Sequence, residues 1–121
     1  MLNLHKEKSI TIDNNHTVFE DSDFQEFKFS ITLTQPTKTQ FRNYRKQCTN
    51  RKGVVDDQKL TTILWDNHVI GWTGLVDEYE KEIKFSEENK KVLDEQCFLF
   101  VSRVTSVCLT DISKSEDIKK K

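Results

Sequence analysis

Along residues 27–34 the side chains alternate, with Phe27, Phe29, Ile31 and Leu33 on one side and Lys28, Ser30, Thr32 and Thr34 on the other. Successive side chains of a strand point to opposite faces. This spacing therefore predicts a strand with one covered and one wet face, as in an antiparallel sheet packed on one side. Ser9-Ile10-Thr11-Ile12-Asp13 alternates in the same way, and Asp13-Asn14-Asn15-His16 is a turn signal. Thr17-Val18-Phe19 then reads as the returning strand of a short hairpin, followed by a polar loop at Glu20-Asp21-Ser22-Asp23.

Past Pro36, the only proline, the period lengthens. Phe41, Tyr44 and Cys48 form one stripe of a helix capped by Thr34 or Thr37 and running to about Asn50, with Gly53 as its stop. Asp56 or Asp57 caps a second helix over about 57–68, whose buried stripe is Leu60, Ile63 and Leu64, with Trp65 beside it. Ser86, followed by Glu87 and Glu88, caps a short helix over about 87–93. The most apolar helix starts near Asp94. It carries Cys97, Phe98, Phe100, Val101, Val104, Val107 and Cys108 in a stripe broad enough for more than one neighbour or a partner.

The stretch between the second and third helices organises the rest. His68-Val69-Ile70-Gly71-Trp72 meets a Gly74-Leu75-Val76 step, then a charged, hairpin-like loop that returns to Ile83 and Phe85. Each glycine permits a bend or a close backbone approach, and Trp72 needs burial together with a partner for its indole N–H. The flanking helices are expected to dock here. The fold class is α+β: a small N-terminal antiparallel sheet or hairpin followed by three to four helices. A single domain covers residues 1–112, with residues 1–8 frayed and residues 113–121 a charged, disordered tail.

Composition narrows the function. With 35% hydrophobic and 32% charged residues the chain is polar, yet eight Phe and two Trp supply a core. A formal net charge of −1 gives no long-range field to gather nucleic acid or an anionic membrane. The N-terminus lacks the apolar run of a signal peptide and no stretch is long enough to span a bilayer, so a soluble protein of a reducing compartment is expected. Cys48, Cys97 and Cys108 form no C-x-x-C unit. The last two lie roughly 16 Å apart along a shared helix, too far to bridge, so all three are expected as buried free thiols.

Candidate chemistry is sparse. His5, His16 and His68 fall on a tail, a turn and a helix end, without metal-ligand spacing. Gly71-Trp72-Thr73-Gly74 lacks the lysine and following hydroxyl of a phosphate loop. Asp77, Glu78, Glu80 and Glu82 do not follow the order of an EF-hand loop, and Lys81 sits among them. No catalytic residue, cofactor or metal is expected. One charged face stands out: Lys38, Arg42, Arg45, Lys46, Arg51 and Lys52, opposite the apolar stripe of the first helix. A nucleic-acid-binding or regulatory module using the basic helix 38–52 is therefore the alternative reading, although no stacking aromatics interleave there.

Residues 27–93 resemble a group of small tailed-phage and prophage proteins described as tail-assembly or tail-assembly-chaperone proteins. Four features carry the resemblance, in order. Leu33-Thr34 ends a strand before an Arg/Lys-rich helix. Asp57 and Lys59 precede a helix carrying Leu64. Val69-Ile70-Gly71-Trp72-Thr73-Gly74-Leu75-Val76-Asp77 matches a V-x-G-W-x-G-L/V-x-D segment. An acidic turn then leads to I-K-F-S-x-E-N at residues 83–89 and a helix. Where that group often has an Asp-Gly turn, this chain has Glu78-Tyr79-Glu80-Lys81. The resemblance implies a non-enzymatic protein of the bacterial host cytoplasm that holds tape-measure or tube subunits, or else a small virion component. Trp72, Phe98, Phe100 and Val104 are the candidate partner-binding positions, and homo-oligomerisation is left open.

Overall fold

In a computed structural model, which describes residues 9–119 and the side chains of residues 9–109, strand β1 (Ser9–Asp13) pairs antiparallel with β2 (Ser30–Thr34). β2 pairs in turn with β3 (Val69–Thr73), giving a three-stranded antiparallel sheet in the order β1-β2-β3. Four helices complete the α+β fold: α1 (Lys38–Cys48), α2 (Asp57–His68), α3 (Glu87–Gln96) and α4 (Phe98–Lys119). Residues 1–8, expected to fray, lie outside the described residues. Of the expected disordered tail, residues 113–119 instead continue α4 to Lys119, and residues 120–121 lie outside the described residues.

The expected returning strand at residues 17–19 is a 3₁₀ turn instead. Asp13 Oδ1 accepts from the Asn15 amide at 2.9 Å, and His16 Nδ1 accepts from the Val18 amide at 3.1 Å. These local bonds satisfy the backbone without a ladder and turn Phe19 inward, where it is fully buried. A second 3₁₀ turn, Asp23–Glu26, ends with the Phe27 amide bonded to the Phe24 carbonyl. Phe27 is thereby held out of the strand and is 48% exposed, so the covered face of β2 consists of Ile31 and Leu33, with Phe29 just ahead of it.

β3 was expected as an irregular bend. It is a strand because its apolar run meets the free edge of β2 and completes the sheet. Thr32 pairs with Gly71 and Leu33 with Val69, which leaves Ile70 as the extra, exposed residue of a β-bulge. Gly71 makes neither a bend nor a close approach, since a Cβ there would meet nothing within 4 Å.

The helices start where their caps allow. Thr37 forms a reciprocal capping box with Gln40, Asp56 Oδ1 accepts from the Lys59 amide, and Ser86 Oγ accepts from the Asn89 amide. α1 stops at Cys48 rather than near Asn50, because Thr49 pairs with Val55 across a tight turn. Gly53, at φ +83°, belongs to that turn and not to the helix end. The chain breaks at Cys97, so α3 is longer than expected and α4 starts four residues later than expected.

One core joins the layers. Ile12, Ile31, Leu33 and Trp72 of the sheet cluster with Trp65 of α2, Leu93 of α3, and Val101, Val104, Val107 and Cys108 of α4. Four phenylalanines close one end: Phe19 stacks on Phe100 at 5.9 Å, while Phe24 and Phe29 meet Phe100 edge-on at 5.1 and 5.5 Å. Arg103 Nη1 donates to the Val18 carbonyl at 2.8 Å and fixes the first 3₁₀ turn to α4.

Candidate functional site

The chain leaves β3 at Gly74, where φ is +82° and the backbone passes against Lys28 and Phe29. Leu75 is buried, and the Ile83 amide donates to its carbonyl at 2.8 Å, closing a small hairpin over residues 75–83. Asp77 holds the tip: its Oδ1 accepts from the Tyr79 and Lys81 amides at 2.8 and 3.0 Å. That carboxylate is committed to the turn. The two tryptophans stack at 5.8 Å behind the hairpin, and Trp72 Nε1 donates to the Ile83 carbonyl at 2.7 Å. Trp65 Nε1 donates to the Lys90 carbonyl at 2.9 Å, tying α2 to α3.

Between this hairpin, the 3₁₀ turn Asp23–Glu26, α3 and the start of α4 lies an open groove of about 520 Å³. Leu75, Leu93, Phe29 and Phe100 form its buried floor, and Phe27, Val76 and Val92 are exposed along its walls. The polar lining is Asp77, Glu78, Asn89 and Gln96, with Cys97 at the edge and no Lys or Arg among the lining residues. Such a surface can hold an apolar side chain and orient its flanks by polar contacts.

The residues expected to bind a partner do not line one surface. Trp72 is 7%, Phe100 6% and Val104 0% exposed, so they serve the core. Phe98 is half-buried, and the fully projecting side chain at that point of α4 is Leu99. Only Phe100 reaches the groove, as part of its floor. Sequence reasoning missed Phe24, Phe27 and Val92. Phe24 sits in a polar loop, Phe27 looked like a strand residue, and Val92 is a single apolar position on a charged helix. The one available signal was Phe24 and Phe27 at helical spacing.

Other candidates are accounted for by local structure. His68 is buried at the end of α2, with Nδ1 3.0 Å from Thr34 Oγ1 and Nε2 3.0 Å from the Tyr44 hydroxyl. Among the described residues no group of His, Cys, Asp or Glu is placed to hold a metal ion, and no helix is long and apolar enough to cross a membrane. Lys38, Arg42, Arg45, Lys46, Arg51 and Lys52 are all exposed, as the spacing predicted.

The cysteines divide. Cys48 and Cys108 are buried, whereas Cys97 is exposed, because the helix break at this position turns it outward. Burial pushes the Cys48 thiol above its ordinary value, with Lys59 acting against the rise. A chromogenic disulfide reagent is therefore expected to titrate one thiol in the native protein and three after denaturation. A native count of two or three would show that the helix packing opens readily.

At the α2–α3 seam, Thr62 Oγ1 donates to Asp94 Oδ2 at 2.9 Å, and Asp94 Oδ1 is buried without a partner among the described residues. Desolvation pushes the nearby Asp66 carboxyl above its ordinary 3.8; Lys90 opposes the rise, and Asp94 adds to it. A raised carboxyl favours the fold when protonated. Its contribution is fullest below the ordinary value and is lost as pH rises through the folded one. Asp66→Asn is expected to stabilise the protein slightly at pH 7, by less than about 0.5 kcal/mol after solvent screening, and to bring no gain at pH 3.5. Thermal melts at the two pH values test the sign.

Compared with known proteins, the chain matches no family model, no curated protein and no solved structure.

Proposed function

We propose that this chain is a non-enzymatic protein that assists assembly of phage or prophage tails in the bacterial host cytoplasm. It does so by binding tail structural subunits, of the tape-measure or tube kind. One convergence supports the reading: two of the four segments that resemble tail-assembly proteins, residues 69–77 and 83–89, meet at the groove. Gly74, Leu75, Val76 and Asp77 come from the first, Ile83 and Asn89 from the second. Phe27 and Val92 stand exposed beside them, apolar surface that a partner segment would cover.

The test is co-expression of the tagged chain with tail-tube and tape-measure proteins. A tail subunit should co-purify with the natural chain and be lost with Val92→Glu, an exposed position that should leave the fold intact. Co-purification of none of these subunits overturns the reading. A second reading, nucleic-acid binding, rests on the six exposed cations of α1 and the turn after it. It requires duplex binding at low salt that falls steeply as salt rises.

A further inference from the structure

We propose that the groove takes a cationic amphipathic polypeptide segment, with apolar side chains in the cleft and Lys or Arg on its flanks. This rests on the protein-binding reading above and gives the partner its chemistry. Size comes first: about 520 Å³, open along one side, accommodates a few side chains of a helix laid across it rather than an enclosed small molecule.

Charge decides the flanks. Asp77 and Glu78 line the groove itself. On α3, Glu88 and Glu95 lie four residues before and three residues after Val92, on the same side of the helix, and both are exposed. Across the cleft, Asp23 and Glu26 flank Phe24 in the 3₁₀ turn. Against these six exposed acidic side chains stand three exposed cations, Lys28, Lys91 and Lys81 of the hairpin, while Lys90 of α3 is buried, so the rim is acidic although the chain as a whole carries only −1. An acidic rim around an apolar floor attracts cationic flanks and repels anionic ones.

A second copy of this chain fits less well. Its basic helix α1 would match the rim, but the apolar residues of that helix, Phe41, Tyr44 and Cys48, are half-buried or buried. The exposed side chains of α1 are polar and leave the floor unfilled.

The full chain supplies its own reporter, since Cys97 edges the groove. The probe is a Leu/Lys peptide of about four helical turns with leucine at i, i+3, i+4 and i+7. Two controls carry the same leucines with Glu in place of Lys, or the same composition with the face scrambled. The Leu/Lys peptide is expected to slow Cys97 modification about tenfold at saturation, and the Leu/Glu and scrambled peptides to leave it unchanged. Val92→Glu and, independently, Phe27→Ser should each weaken binding about tenfold, and Glu78→Lys should weaken it mainly at low salt.

Equal protection by the Leu/Glu peptide overturns the assignment of charge. Protection that survives both Val92→Glu and Phe27→Ser places the peptide elsewhere and overturns the site. Protection that grows with protein concentration in the absence of peptide makes a second copy the occupant. Peptide binding without co-purification of tail subunits would sink the assembly role and leave this inference standing.

Discussion

Gly74→Ala is expected to lower folding stability by about 3–5 kcal/mol, with roughly 1–2 from placing a Cβ on left-handed backbone and the remainder from steric overlap. At φ +82° the added Cβ would lie 2.4 Å from the Lys28 carbonyl oxygen and 2.9 Å from the Phe29 Cα. Both are backbone atoms, so no side-chain rotation relieves the contact. The approach can lengthen only if β3 and the segment before β2 move apart. That motion would pull Phe29 from its edge-on contacts with Phe19 and Phe100. Gly53→Ala separates the two causes. Gly53 has φ +83° but open space around its Cβ position, so it should lose only the conformational part, about 1–2 kcal/mol. Chemical denaturation of both variants gives the comparison. Equal losses would mean that the contact with Lys28 and Phe29 is absent in solution.

How much of this could be read from the chain alone depends on whether the deciding forces are local. Thr37, Asp56 and Ser86 cap helices through bonds to residues three positions ahead, and all three were legible, although Thr37 shared its place with Thr34 and Asp56 with Asp57. The alternation of Ile31 and Leu33 identified a strand, yet not its limits, because Phe27 is removed from the ladder by a neighbouring turn. β3 could not be read as a strand from Val69-Ile70-Gly71-Trp72, since its partner lies some forty residues earlier and a bulge interrupts the alternation. The broad stripe of α4 was visible, but it reflects contact with the sheet and two helices together rather than a vacant docking face. The groove was the least legible feature, because its lining is gathered from a polar loop, a hairpin and one face of a charged helix.

Lys90 shows the same dependence on distant parts of the chain, and Lys90→Met is expected to cost about 1–3 kcal/mol, because one buried and one part-buried carbonyl lose their donor. In sequence Lys90 is one charge among many on α3. In the fold it is 2% exposed, with Nζ donating to the Asp66 and Val69 carbonyls at 2.9 Å each. Those carbonyls close the C-terminal end of α2 and begin β3, where the helix dipole favours a cation. The Phe85 ring lies 5.7 Å from the ammonium on another side. Methionine keeps most of the volume and rotamer freedom, so its effect reports the lost bonds rather than a cavity. Two opposing terms set the outcome: burying an ammonium is costly, and leaving two oxygens unpaired is costly as well. Geometry favours the lysine, since both bonds have good length and the dipole adds to them. Lys90→Ala should lose more than Lys90→Met, the difference measuring the packed stem. Urea titrations of the two variants decide it: a Met variant as stable as the natural chain would mean that desolvation cancels the capping bonds, and that the α2–β3 junction is held by the paired tryptophans and by the hydrogen bonds of His68 to Thr34 and Tyr44.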